Sequence, residues 1–438
     1  MRWKSTTYAG WGRALRAAGE LARPERQATL AALMADSPAP AIGKRRSYGD
    51  ACLNDGGRAV DMTRLDRFLG FDETTGALTA EAGLTLGEIV AVMAPRGWIP
   101  AVVPGTGFAT IGGAIGNDVH GKNHHHAGSF AQHVRALTLL RPDGTQARIT
   151  PEDDIDLFRA TAGGLGQTGI VVSAELEMTR VPGDIMTVTE RRAEDFDAFR
   201  AMLDASEASY TVGWIDTTAK GDSLGRGILE EAEPASGLVP LKKGSKRVPM
   251  DAPGFALSHP IVRVFNEAYY RRVPRRGRTV VRPVDDFFFP LDRIHDWNRL
   301  YGKRGFHQFQ CVVPLAAREA IRDMLGRIAG SGLSSPLAVL KRTGPGRAGH
   351  LSFPMEGYTL ACDLRALPEA EKMIRTLEDL TADAGGRIYF AKDALCTPER
   401  IPQMYPELDA WRAVVAKADP KGAMVTDLVR RLKLREAA

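Results

Sequence analysis

The residues that most restrict how this chain can fold are those with almost no side chain. The stretch Pro104-Gly105-Thr106-Gly107-Phe108-Ala109-Thr110-Ile111-Gly112-Gly113-Ala114-Ile115-Gly116-Asn117 mixes glycine and alanine with hydroxyls, so its backbone can take positive φ and be approached closely. Arg46-Ser47-Tyr48-Gly49-Asp50 and the run from Thr161 to Ile170 share this character. Such loops suit a diphosphate, whose oxygens need N–H groups unobstructed by side chains; a purely structural turn would have the same composition. Three of them in one lobe exceed what turns alone require. No G-x-G-x-x-G follows a strand with a downstream acidic residue and no G-x-x-x-x-G-K-[ST] occurs, which argues against nicotinamide-dinucleotide and P-loop sites.

A chain of 438 residues is too long for one core, and 44% hydrophobic with 25% charged residues is ordinary globular composition. Short β-like runs punctuated by glycine fill residues 38 to 180. Among them the spacing of Leu86, Ile89, Val90 and Met93 predicts a helix over Thr85–Arg96, opened by a Thr85/Glu88 capping box. A short helix is expected between Asp153 and Arg159, and a strand over Val171–Met178. Glycine density falls after Val181, so Pro182-Gly183 marks a lobe boundary. Strands and helices alternate from 184 to 386, and a strand, Ile388–Ala391, precedes two polar helices.

The formal net charge is +5. Basic residues concentrate in Lys242-Lys243-Gly244-Ser245-Lys246-Arg247 and in Arg271-Arg272-Val273-Pro274-Arg275-Arg276-Gly277-Arg278. They are read as a solvated mobile loop or as a surface for phosphate lipids and membranes, with no nucleic acid partner. Cys52, Cys311, Cys362 and Cys396 form no CxxC pair, so neither a disulfide framework nor a metal site is signalled. The start, Met1-Arg2-Trp3-Lys4, lacks an apolar h-region, and no run of about 18 apolar residues occurs. The expectation is a cytoplasmic protein, or one peripheral to a membrane.

Arg-Ser-Tyr-Gly-Asp at 46–50, Pro-Gly-Thr at 104–106, Thr-Ile-Gly-Gly-Ala-Ile at 110–115, His120-Gly121-Lys122-Asn123-His124 and Gly163-Gly164 through Gly169-Ile170 resemble the FAD domain of the vanillyl-alcohol oxidase, or PCMH-type, superfamily. Within it, the likeness to the decaprenylphosphoryl-β-D-ribose 2'-oxidases runs nearly end to end, through Trp297-Asn298-Arg299-Leu300-Tyr301-Gly302, Ala391-Lys392-Asp393 and Asp427-Leu428-Val429-Arg430-Arg431-Leu432. The resemblance implies an α+β fold with a FAD-binding domain over 1–182. A cap, or substrate, domain with an antiparallel sheet is implied over 183–386, and a C-terminal segment, 387–438, returns to the FAD domain. It implies FAD held by Arg46, Ser47, Tyr48, Gly49, Asp50, Pro104, Gly105, Thr106, Thr110, Gly112, Gly113, Asn117, His120, Gly121, Asn123 and Tyr389, with Gly169 and Ile170 on the adenine side. Many relatives tether flavin through a histidine in the segment where this chain has Arg46-Ser47-Tyr48, so the FAD is expected to be non-covalent.

On the substrate side the resemblance assigns Lys392 beside the flavin, and Lys341 and Gln310 as further catalytic groups. Gln308, Cys362 and Trp214 are assigned as substrate contacts. Gln308 and Gln310 alternate with Phe309 and Cys311, which puts both amides on one strand face. A surface lysine at 392 and a buried structural thiol at 362 are the plain alternatives. His120, His124, His125, His126 and His133 form no metal motif; His120 is read as a flavin contact and His125 and His126 as surface or hydrogen-bonding groups. Leu360 and Phe288-Phe289 stand where near relatives have asparagine, and tyrosine with histidine, which suggests a more apolar pocket. The implied reaction is FAD-dependent oxidation of a sugar hydroxyl by hydride transfer to the flavin, with a polyprenylphosphoryl-ribose 2'-hydroxyl as substrate, a separate NADH-dependent reductase completing an epimerisation, and the basic stretch as a lid facing the membrane. An alditol or aldonolactone oxidase is the rival, although the His-Trp-x-Lys of those enzymes is missing; a catalytically silent carbohydrate- or lipid-binding protein is the other.

Overall fold

The glycine-rich lobe rests on two sheets in the computed structural model, which describes residues 3–241 and 244–435. In the first, Lys4–Ala9, Arg16–Ala22, Arg58–Asp61 and Ala41–Ile42 lie side by side in that order, with the first pair antiparallel and the other pairings parallel. In the second, the eleven-residue strand Ile170–Arg180 is central, flanked by Ala77–Glu81 and Val134–Leu140. Its Ile170, Val172, Ala174, Leu176 and Met178 are all buried, the period-2 pattern of a strand with one face in a core. The expected helix covers this sheet as Leu86–Met93: Thr85 caps it, the Thr85/Glu88 box is complete, and Leu86, Ile89, Val90 and Met93 point inward. Its last expected turn is instead a 3-10 turn, Ala94–Arg96, because Gly97 follows at φ 80° and leaves the helical region.

The second lobe is one eight-stranded antiparallel sheet, ordered Arg278–Pro283, Ile185–Ala193, Gly227–Ala235, Tyr210–Ile215, Ala338–Thr343, Gly357–Arg365, Phe306–Val313, Arg387–Ile388. On one face Leu340, Leu360, Cys362, Phe309, Cys311 and Val313 join a core closed by the helices Phe196–Asp204, Glu319–Gly330 and Pro368–Asp383. Residues of opposite parity face the first lobe. This alternation makes a single sheet both the packed centre of one lobe and the roof of the site.

Two expectations change. The strand expected over Ile388–Ala391 is only Arg387–Ile388, and it pairs with Phe306–Val313, extending the second lobe's sheet rather than returning to the first. The following helices do bridge back, through Trp411 Nε1 to the Ala160 carbonyl (3.1 Å) and Asp427 N to the Leu53 carbonyl (2.9 Å). The basic stretch is not a mobile loop where it is described: it contains the helix His259–Arg271 and the strand Arg278–Pro283. Lys242 and Lys243 lie outside the described residues.

Order there has an electrostatic cause. Glu190 is fully buried and accepts from Arg272 (2.7 Å), Arg282 (2.6 Å) and Arg278, while Glu230 accepts from Arg272 (3.4 Å) and Arg282 (3.2 Å). Burial alone would raise the Glu190 pKa, but hydrogen bonds from Arg278 and Arg272 outweigh it and hold the carboxyl well below the glutamate range. Removing it leaves arginines facing one another. Glu190→Ala should cost about 3 kcal/mol in denaturant unfolding at neutral pH. Because the folded pKa is depressed, the contribution is present above the unfolded value of about 4.3 and lost as pH falls below it, so wild type and variant should converge in acid.

Candidate active site

A cavity of about 360 Å³ lies between the lobes, within the range of about 300–1,000 Å³ that holds small ligands. The first lobe supplies a wall with little side chain: Gly43, Gly105, Gly112, Gly113, Gly116, Gly166 and Gly169, with Pro104, Ser47, Thr106 and Thr110 among them. A Cβ at Gly105 would meet nothing within 4 Å. Arg46 lines the same wall, its guanidinium clamped 3.9 Å from the Trp11 ring and 4.2 Å from Phe108. Arg46 Nε, Asn117 Oδ1 and His120 Nδ1 are buried without partners, donors and an acceptor that a polar ligand can satisfy. An open cradle of main chain, an aromatic-stacked cation and unsatisfied polar atoms fit the diphosphate and ring of FAD.

The roof is made by the second lobe. Gln308 and Gln310 from one strand, Thr359 and Ala361 from the next, and Val339 and Lys341 from the third all line the cavity, as their pairing Gln310↔Ala361↔Val339 requires. Lys392 enters from the loop after Ile388, its Nζ 3.4 Å from the centre of the Tyr48 ring. Gln310 Nε2 sits 3.1 Å from His120 Nε2 and donates to it, which puts the ring proton on Nδ1. Tyr389 stacks on Phe353 with ring centres 4.7 Å apart, and its hydroxyl donates to the Asn117 carbonyl at 3.3 Å.

Burial dominates the electrostatics. His120 is held far below the usual imidazole range by desolvation and then by Lys341, so it is neutral. Lys341 is lowered to about 8 by desolvation. Lys392 is likewise lowered by burial, partly offset by Asp363, whose own carboxyl is raised by burial against hydrogen bonds from Gln308 and Tyr301. The site thus holds two amines with weakened proton affinity beside a neutral imidazole.

Several expected residues lie elsewhere. Cys362 points into the helix-covered core opposite Phe309 and Ala338; Ala361 takes the cavity position, one residue earlier and therefore on the other face. Leu360 also faces that core and Phe288 is buried in a separate cluster, so neither makes the cavity more apolar. Trp214 lies one strand beyond the roof, opposite Val339, with Nε1 bonded to the Pro336 carbonyl. Asp50 is held by Arg431 at 2.8 Å through two nitrogens, and a Cβ at Gly49 would come within 1.7 Å of the Asp393 carbonyl; both sit behind the wall. Asn123 bonds the Ala101 carbonyl (2.8 Å), Gly121 packs against Val103, and Ile170 faces the core while Gly169 lines the cavity. Thr106 lines the wall, but its hydroxyl donates to Asp292 (2.9 Å), whose carboxylate also takes Gly107 N (2.7 Å).

Asp292 and Leu291 line the cavity without having stood out in the sequence, since no local pattern carries them; Trp11, and Trp297 from the stretch 297–302 that carries the resemblance, line it too, and Gly43, next to the Arg46 segment, could have been found from its glycine. The other imidazoles have protein partners: His124 Nδ1 accepts from Gly344 N (3.1 Å), His125 Nε2 meets the Ala208 carbonyl (2.9 Å), and His133 meets Glu177 (3.1 Å). His126 lies against the His125 ring, with ring centres 4.2 Å apart and the planes tilted by 47°.

Residues 21–150 match the FAD binding domain family, and residues 361–432 match the D-arabinono-1,4-lactone oxidase family. The chain is 36% identical over 448 aligned residues to decaprenylphosphoryl-β-D-ribose oxidase of Mycolicibacterium smegmatis, covering 97% of each chain. It is 32% identical over 372 residues to an uncharacterized protein of Streptomyces coelicolor, covering 80% of this chain and all of the other. Similarity to L-gulonolactone oxidase of Mus musculus is confined to 136 residues at 29% identity, about 31% of this chain and 30% of that enzyme.

Two outcomes follow from the geometry. Gly105→Val puts a branched side chain into the open cradle without a backbone clash, so the apoprotein should melt as wild type does while FAD uptake, read by flavin fluorescence quenching, weakens by at least about tenfold. Lys341 has a folded pKa of about 8, below the unfolded value of about 10.4. Its burial therefore costs stability below about pH 8, and the cost is relieved as pH rises towards 10.4. Lys341→Met should raise the apoprotein Tm at pH 7 and lose that advantage in alkali.

Proposed function

The chain belongs to the family of PCMH-type FAD-dependent oxidoreductases that includes decaprenylphosphoryl-β-D-ribose oxidase, and from that membership we propose that it oxidises the 2'-hydroxyl of a polyprenylphosphoryl-β-D-ribose to the 2'-keto sugar. It is an FAD-dependent enzyme acting on CH–OH groups. One observation carries the substrate reading: Lys392, Lys341, Gln310 and neutral His120 converge on the cavity end facing the glycine wall. That set suits a hydroxylated ring with an anionic substituent.

Bound FAD supplies the acceptor for the hydride that leaves the carbinol carbon. The hydroxyl proton needs a base, and burial lowers the proton affinity of Lys392, which fits it to take that proton or to hold the oxygen as negative charge develops. Lys341 is positioned for the sugar phosphate or a neighbouring hydroxyl. Gln310, fixed by its bond to His120, and Gln308, fixed by Asp363, orient the ring. The FAD is non-covalent in this reading, since Tyr48 offers no imidazole where many relatives have one, and a separate NADH-dependent reductase takes the keto sugar. The match of residues 361–432 to the D-arabinono-1,4-lactone oxidase family favours an aldonolactone or alditol oxidase as the second reading.

Anaerobic mixing with polyprenylphosphoryl ribose, alditols and aldonolactones, followed by flavin bleaching, ranks these substrates; fastest bleaching by a lactone would overturn the first reading. With the best substrate, Lys392→Ala should slow bleaching by about 10²-fold or more at saturation. Acid precipitation should leave the flavin in the supernatant.

A further inference from the structure

The helix His259–Arg271 carries apolar side chains on its outer face as well as its inner one. Its inner face buries Val262 and fully buries Asn266, whose amide donates to Asp216 (2.8 Å) and the Ser335 carbonyl (3.3 Å). Its outer face presents Ile261, Val264 and Phe265, 44%, 71% and 47% exposed, and exposed Ala268 completes the i, i+3, i+4, i+7 stripe that a helix in water normally hides. The strap before it continues the theme: Leu238 and Leu241 are 95% and 96% exposed, Met250 71% and Phe255 68%. Of the fifteen large hydrophobic side chains exposed among the described residues, ten fall between Leu238 and Leu300, a concentration in one part of the chain that singly scattered exceptions would not give.

Charge selects the occupant. Across the strap and the helix, from 238 to 271, the sequence carries six basic residues (Lys242, Lys243, Lys246, Arg247, Arg263, Arg271) and two acidic ones, Asp251 and Glu267; Asp251 is paired with Arg13 at 2.6 Å and Glu267 with Arg226 at 2.6 Å and with Arg271, while Arg247 meets Asp296 at 3.3 Å. A second copy docked face to face would set these like charges against each other, whereas an anionic bilayer accepts both the cations and the apolar stripe. No helix of the described residues is long and apolar enough to cross a membrane, so contact would be at the surface.

The same face borders the cavity. The strap is bonded to the segment that lines it, through Lys246 N to the Arg293 carbonyl (2.7 Å) and Ala252 N to the Arg299 carbonyl (2.9 Å); that segment carries Leu291, Asp292 and Trp297. On the other side Trp214, opposite the cavity residue Val339, packs on Tyr269 (4.8 Å), which stacks on Phe265 (5.8 Å). We propose that the outer face of helix His259–Arg271 and the described parts of the strap before it, 238–241 and 244–255, dock this enzyme on an anionic lipid surface, so that a lipid-linked sugar passes from bilayer to cavity without crossing water. This rests on the lipid-phosphate reading of the substrate. Arg272, Arg278 and Arg282, bonded to Glu190 and Glu230, take no part.

The test is flotation of the FAD-loaded full chain with vesicles of phosphatidylcholine alone or with roughly 30 mol% phosphatidylglycerol. Wild type should float with the anionic vesicles and release at high salt. Leu241→Asp/Val264→Asp, at exposed positions away from the cavity, should keep its Tm and FAD and lose vesicle affinity by about tenfold or more. Lys246→Gln/Arg247→Gln should lose about fivefold for each cation. Failure of wild type to float, equal flotation of wild type and the Asp variant, or a wild-type dimer that the Asp variant splits would each overturn the proposal. Turnover of a short-chain phosphoryl ribose, assayed without vesicles, should be equal in wild type and the Asp variant; its absence from both, with flotation intact, would sink the substrate reading and leave the docking face standing.

Discussion

A single guanidinium, that of Arg431, holds together the two chain segments on which the reacting end of the cavity is built. It bonds Asp50 twice at 2.8 Å, Asp393 at 2.8 Å and the Cys396 carbonyl at 2.7 Å. Asp50 follows Tyr48 and Gly49, and Asp393 follows Lys392, so the ion pairs press two loops together that also share the bond from Tyr48 N to the Ala391 carbonyl (2.9 Å). Both carboxylates are nearly inaccessible, and each would be an unpaired buried charge without the arginine. The closeness explains Gly49, since the Asp393 carbonyl occupies the space a side chain would need. The 3.4 Å approach of the Lys392 amine to the Tyr48 ring is therefore fixed from behind, by residues that never reach the cavity.

That fixation lets the site carry groups that weaken the fold. Lys341, Lys392 and Asp363 are all ionisable and desolvated, and each is shifted toward its neutral form by burial. A core optimised for stability would not contain them. They persist because the opposite face of the same sheet is fully apolar, with Leu340, Leu360, Cys362 and Phe309 closed by three helices. Burial on one face offsets the desolvation on the other, and the alternation of the strand decides which residue serves which purpose.

The same alternation explains what could be read in advance and what could not. Glycine spacing, the Thr85/Glu88 capping box and the inward Gln308/Gln310 pair are local patterns, and the corresponding loop, helix and strand face are present. A resemblance between sequences carries no register, so it points Cys362 and Leu360 at the cavity although Ala361 and Thr359 occupy it; one residue of slip inverts a strand. Asp50 looked like part of a ligand loop because its partner, Arg431, is 381 residues away. The stretch holding Arg272, Arg278 and Arg282 reads as mobile because Glu190 and Glu230, which hold these three, come from strands far earlier in the chain. Pairing at long range is invisible to composition.

Register also bears on selectivity. With Leu360 and Phe288 turned away, the chemistry of the roof is set by Lys341, Gln308 and Gln310, with Thr359 and Ala361 as its small members. Small side chains between two amides and an amine leave room for a ring and its substituents while keeping donors at the edges, which favours a bulky polar head over a compact lactone. The aromatic series Trp214, Tyr269 and Phe265 then leads from that roof toward an apolar exterior. A small soluble sugar gains nothing from such a path. On the proposed lipid docking a sugar bearing a long hydrocarbon does, because the cavity would accommodate only the head while the tail kept an apolar environment.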